Sequence, residues 1–104
     1  MTVHAEISII PITRHGDTSI SKQVAAAFDA IRKVRGVKAT LTALGTQIEA
    51  GSIDEIATAI KEAHAAAKRV GAVRIISSIR IDERLDKEQT LQDKVRSVKQ
   101  RLKS

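Results

Sequence analysis

The chain has 104 residues, 18 of them Lys or Arg against 12 Asp or Glu, which gives a formal net charge of +6, and its one aromatic residue is Phe28. A chain of this length holds one domain over residues 1–104. The absence of cysteine excludes disulfide staples, thiolate zinc sites and cysteine nucleophiles, and it places the expected compartment in the cytosol.

Leu, Ile, Val and Phe make up 28 of the 104 residues, above the roughly 20% below which a charged chain tends to stay unfolded. With 14 Ile, 8 Val and 15 Ala, the expected core is aliphatic, built for close packing of helices on a sheet. No apolar stretch near the N-terminus is long enough for a signal segment or a membrane span. The charge is uneven, since residues 84–104 carry seven basic and three acidic side chains.

The first segment alternates, with Val3, Ala5, Ile7 and Ile9 on one side and His4, Glu6 and Ser8 on the other, which predicts a strand with one buried face. Pro11 is expected to end its pairing or to mark an edge. Residues 14–19 form a loop whose Asp17, Thr18 and Ser19 are candidate helix N-caps. Ile20, Val24, Phe28, Ile31 and Val34 recur every three or four residues and predict a helix closed by Gly36.

A second strand is predicted from about Val37 to Leu44, with Gly45 as the turn of a hairpin into Thr46–Ala50. Ser52 and Glu55 have capping-box spacing, in which the Ser oxygen takes the Glu amide and the Glu side chain returns to the Ser amide. The helix that follows carries Ile53, Ile56, Ile60, Ala63, Ala67 and Val70 as its stripe and ends at Gly71. Val73–Asp82 alternates again as a fourth strand. A last helix, from about Glu88 to Leu102, has Leu91, Val95, Val98 and Leu102 as a narrow seam of the kind that docks on one partner surface.

The order βαββαβ, in halves of about 2–44 and 46–84 followed by the terminal helix, predicts an α+β ferredoxin-like sandwich. Its four-stranded antiparallel sheet would have both long helices on one face. The other face, which carries His4, Glu6, Ser8, Ile10, Thr40, Thr42, Gln47, Glu49, Arg74, Ile76, Ser78 and Arg80, is expected to stay uncovered. Its mixed polar composition suits a partly buried, hydrogen-bonding surface, although plain β-propensity selects Thr and Ser on exposed strands as well. The glycines fall between elements and leave no Gly-rich phosphate loop.

Gly45-Thr46-Gln47-Ile48-Glu49, Ile79-Arg80-Ile81-Asp82-Glu83-Arg84 with Lys94-Val95-Arg96-Ser97-Val98, and Ile10-Pro11 ahead of Thr18-Ser19-Ile20-Ser21 and Val24-Ala25 keep one order along the chain. Together they resemble the small thiamine-binding protein family over almost its whole length. The resemblance implies assembly as a homotetramer or as a duplicated-chain dimer, with sheets stacked face to face, and for this single-domain chain a homo-oligomer, in particular a tetramer. It also implies binding of thiamine or its hydroxymethylpyrimidine part near subunit interfaces, with no cofactor required. Carried over by motif, Thr18, Ser19, Ser21, Thr46 and Glu49 are implied ligand contacts, with Glu49 taking the pyrimidine amine. The chain departs from the family pattern at Gln23, where an aromatic is common, and at Arg80, where Lys is more frequent. Because the helical spacing of Phe28 points that ring to the core, either stacking falls to Arg80 or the ligand differs from thiamine.

No catalytic or metal constellation is present. His4-Ala5-Glu6 matches half of a zinc deaminase signature whose cysteines are missing, and His15 and His64 read as surface or boundary residues. Asp82 and Glu83, adjacent on a strand, point to opposite faces and cannot share a proton, and Asp82 is expected to pair with Arg84 or Arg80. The competing function is a small basic module whose terminal-helix residues Lys94, Arg96, Lys99, Arg101 and Lys103 contact RNA or another polyanion. Strands without aromatics argue against nucleic acid as a partner. The expected protein is thus a non-enzymatic, cytoplasmic, homo-oligomeric binder of a thiamine-related heterocycle.

Overall fold

Period-two alternation carries the first strand further than its proline suggested. In the computed structural model, which describes residues 2–102, β1 runs Val3–Thr13 and continues through Pro11, which is buried opposite Ile75. The neighbouring strand β3, Thr46–Ala50, pairs with β1 only as far as Ile7. Pro11 therefore lies where β1 has one strand neighbour, and its missing N–H is tolerated there.

The remaining elements are α1 (Ser21–Arg32), β2 (Lys38–Leu41), α2 (Ile53–Arg69), β4 (Ala72–Glu83) and α3 (Leu91–Leu102). The strands lie in the order β2-β3-β1-β4 and every neighbouring pair is antiparallel. That is the ferredoxin-like arrangement, with α1 and α2 on one face. Strand β2 is shorter than its alternation predicted, because Thr42 turns back on Gly45 through both its amide and its hydroxyl, at 2.9 and 2.7 Å to the Gly45 carbonyl.

Val3, Ile7 and Ile48 from the sheet meet Ile31 of α1 and Ile56 of α2 in the core, each at most 2% exposed. Ala59 and Ala63 on α2 are fully buried, and their small side chains let the helix approach the sheet closely. Ile53, expected in this stripe, is 41% exposed at the first turn.

Helix starts follow local hydrogen bonding. Ser52 caps α2 by accepting the Glu55 amide at 3.4 Å, while its hydroxyl donates to the Glu55 carboxylate at 3.2 Å. The Glu side chain thus returns to the Ser hydroxyl and not to the Ser amide. None of the expected N-caps serves α1: its N-cap position is Ile20, without a side-chain bond. Asp17 is engaged elsewhere, closing its loop by hydrogen bonds with Thr13. Helix α3 starts at Leu91 and not at Glu88, because Thr90 and Asp93 cap it reciprocally, each accepting the other's amide at 2.9–3.0 Å.

The sheet face opposite α1 and α2 is not left wholly uncovered. The N-terminal end of α3 lies over one end of it, where Leu91 donates its amide to Glu49 and Lys94 pairs with Asp82. His4 beneath is only 4% exposed. Further along α3 the seam leaves the sheet, and Val95, Val98 and Leu102 are 50%, 60% and 74% exposed. No helix of the described residues is long and apolar enough to cross a membrane.

Candidate ligand-binding site

Three of the six residues implied as ligand contacts line one cleft. The loop before α1 delivers Ser19, the first helical residue is Ser21, and β3 opens with Thr46; all three border a cleft of about 470 Å³ between α1 and the Thr42–Gly45 turn. The volume falls within the range of about 300–1,000 Å³ typical of small-molecule pockets. Ser19 and Ser21 hydroxyls lie 3.3 Å apart, and Thr46 is nearly buried. Apart from Ser8 and Thr42 the rest of the lining is apolar, and among the described residues no charged side chain belongs to it.

Phe28 forms part of this wall. Its spacing placed it in the core, but one turn beyond Val24 it lies at the border of α1's buried stripe, half-buried and facing the cleft. The only aromatic ring of the chain therefore stands among the hydroxyls. Gly45 completes the cleft's floor, and a Cβ there would come within 3.0 Å of the Ile7 carbonyl.

The other three implied residues lie elsewhere. Thr18 is exposed in the loop and does not line the cleft. Glu49 and Arg80 point to the opposite face of the sheet: Glu49 holds the α3 end through the Leu91 amide, and Arg80 rims a smaller pocket beneath α3. One protomer therefore does not bring Glu49 and Arg80 together with Ser19, Ser21 and Thr46.

Other pairings are also redistributed. Asp82 meets Lys94, not Arg80 or Arg84, and that hydrogen bond holds its carboxyl below the usual range. Arg84 pairs with Asp86 instead. His15 is exposed, and His64 is half-buried with its Nε2 3.0 Å from the Ser77 hydroxyl. Among the described residues no cluster of three His, Asp or Glu side chains could hold a metal ion.

The sequence pattern of a family described as thiamine-binding protein matches residues 5–99. The chain belongs to the thiamine-binding protein family. A UPF0045 protein of Methanothermobacter thermautotrophicus is 38% identical over 100 residues, which cover 96% of this chain and 99% of the relative. Another, from Methanocaldococcus jannaschii, is 41% identical, covering 92% of this chain and 91% of its own.

Solved structures agree. A hypothetical protein from Methanocaldococcus jannaschii superposes with a TM-score of 0.82 at 40% identity, covering 94% of this chain and 96% of that one. A putative thiamine biosynthesis/salvage protein from Thermotoga maritima shares the fold with a TM-score of 0.76 at 22% identity, covering 94% of this chain and 99% of that one. The fold is thus common to this chain and both solved structures.

Proposed function

We propose that this chain binds thiamine or its hydroxymethylpyrimidine part without transforming it, in the cleft between α1 and the Thr42–Gly45 turn. Family membership supports the ligand class. The observation that carries the assignment of the cleft is the convergence of Ser19, Ser21 and Thr46 with Phe28 on one concave surface. A flat heterocycle stacks on the ring, and the hydroxyls donate to or accept from its nitrogens and amine.

The uncharged lining favours the pyrimidine part over the cationic thiazolium, because an unpaired cation pays a large desolvation cost in an apolar cleft. Hydroxymethylpyrimidine is therefore the tighter ligand.

The protein acts in the cytoplasm as a homo-oligomer, a tetramer by family resemblance. Its exposed apolar surface supports self-association: Ile10 and Ile76, register partners on the open sheet face, are 53% and 44% exposed, and the outer seam of α3 is bare. The polyanion reading has less behind it, since Lys94 and Arg96 on α3 are engaged by Asp82 and Asp93. Isothermal titration of the oligomer with hydroxymethylpyrimidine and thiamine tests the proposal. Saturable binding weakened by Phe28→Leu is expected, and no heat from either ligand at millimolar concentration refutes it.

A further inference from the structure

At the C-terminal end of α2, against the start of β4, lies a pocket of about 290 Å³ lined by His64, Lys68, Ala72, Val73, Arg74 and Ile75. Each wall carries a positive charge, Lys68 from the helix and Arg74 from the strand, and among the described residues no carboxylate belongs to the lining. The groove between α1 and α2 differs, since Asp29 and Glu62 stand among its cations. So does the pocket beneath α3, where Glu6 and Asp82 accompany Arg80 and Lys94.

Lys68 and Arg74 form no hydrogen bond or ion pair with another described residue. Two like charges at one concavity repel each other until a counterion joins them. Lys68 also complements the helix dipole, but that explains neither Arg74 nor the missing acid. The helix end is already satisfied, because the carbonyls of Ala67, Lys68 and Val70 accept from the Val70 amide, the Gly71 amide and the Gln23 side chain. Those bonds offset the partial negative charge that would otherwise oppose an anion there.

Two further kinds of donor adjoin the cations. His64 is half-buried, and its Nε2 lies 3.0 Å from the Ser77 hydroxyl of β4. With that hydroxyl donating to Nε2, Nδ1 carries the imidazole proton and serves as a donor. Strand β4 has a strand neighbour, β1, on one side only, so alternate amides near Ala72–Ile75 lack a ladder partner.

We infer that this pocket is an anion site that takes the dianionic phosphate group of a small phosphomonoester. Two unpaired cations match its two negative charges, and the Arg74 fork suits a pair of phosphate oxygens. A carboxylate brings one charge and two oxygens, and leaves a cation unmatched. The volume lies just under the range of small-molecule pockets, which suits a phosphate with a small substituent. This site is separate from the cleft between α1 and the Thr42–Gly45 turn and stands whether or not that cleft takes its own ligand.

The test titrates the isotope-labelled full chain with inorganic phosphate and with glycerol phosphate at constant ionic strength, read by NMR. Saturable shifts are expected at the His64 imidazole and the amides of residues 72–75, with acetate binding at least about tenfold more weakly. Lys68→Gln and Arg74→Gln, both changes of exposed side chains, should each lower phosphate affinity about tenfold, as loss of a charge-assisted hydrogen bond requires. Lys99→Gln removes the same charge from α3 and should leave affinity unchanged, as should Phe28→Leu. Equal weakening by Lys99→Gln, or shifts reproduced by chloride, would overturn the inference in favour of unspecific screening. Tighter binding of single-stranded RNA, with shifts running onto α3, would overturn it in favour of a polyanion surface. Absence of shifts at residues 64 and 72–75 would also overturn it, while leaving the proposed function of the cleft intact.

Discussion

Glu49 on β3 accepts the backbone N–H of Leu91, 42 residues further along, so a strand carboxylate holds the first turn of α3 against the sheet. A negative side chain at a helix N-terminus meets both unpaired amides and the positive end of the helix dipole. Asp82, directly across β1 from the same edge, holds the next turn through Lys94. His4 lies between these two acids in the register, with Glu49 opposite it on one side and Asp82 on the other.

Glu49→Gln keeps the shape of the side chain and removes its charge. We expect a loss of about 0.3–1 kcal/mol from the α3 end, read as faster amide hydrogen exchange at residues 91–95, with affinity for the cleft ligand unchanged. A large loss of ligand affinity with α3 exchange unaltered would place Glu49 in the ligand site after all.

The Asp82–Lys94 contact makes α3 docking sensitive to acid. Its hydrogen bond with Lys94, and then the charge of that lysine, lower the Asp82 pKa below 3.8 in the folded chain. A depressed carboxyl contributes stability that is present above the unfolded value and lost as pH falls through the folded one. Glu88, lowered by its hydrogen bond with Thr2, acts in the same direction. Exchange at α3 should therefore accelerate below about pH 4 before the β1–β3 core opens, and Asp82→Asn should remove part of that dependence. Acid-insensitive α3 exchange would contradict the assignment.

Gly36 and Ser52 both act through Glu55. Gly36 has a φ of 83°, and a Cβ there would land on Glu55 Oε2, while Oε1 of the same carboxylate accepts from the Ser52 hydroxyl. Gly36→Ala should thus combine left-handed strain of about 1–2 kcal/mol with disturbance of the α2 cap. Ser52→Ala alone should cost about 1 kcal/mol, or roughly 4–8 °C in melting temperature for a domain near 100 residues. Because the two changes share Glu55, the double variant should lose less than the sum of the single losses. Strict additivity would mean that Glu55 does not couple them.

Much of the fold was legible because burial is periodic. Val3, Ala5 and Ile7 alternate with polar neighbours and are buried as that period demands, and Ser52 with Glu55 marks the start of α2. The Thr90–Asp93 cap was equally present in the sequence, three residues apart on either side of Leu91, and it corrects the α3 boundary. What escaped was tertiary. Alternation assigns Glu49 and Arg80 to one face, but it cannot tell that the terminal helix folds back over that face.

The candidate site divided along the same line. Ser19, Ser21 and Thr46 came from motif resemblance and meet in the cleft, whereas helical spacing alone turned Phe28 inward. A residue at the edge of an apolar stripe faces core or cleft according to what lies above it, and that is set by the hairpin turn at Thr42–Gly45.

Thr46→Val removes a hydroxyl from the cleft with little change of shape. Hydroxymethylpyrimidine affinity should fall by about tenfold, the loss of one hydrogen bond of roughly 1–1.5 kcal/mol, while the melting temperature of the free protein stays nearly constant. Unchanged affinity would remove Thr46 from the contacts.

The most direct test of the central claim is calorimetric titration of the purified oligomer with hydroxymethylpyrimidine, alongside Phe28→Leu. The account predicts saturable binding, tighter than that of thiamine, and a loss of at least about tenfold when the ring is replaced, as a stacking contact worth 0.5–1.5 kcal/mol plus lost area requires. No heat at millimolar ligand, or full affinity in Phe28→Leu, would contradict it.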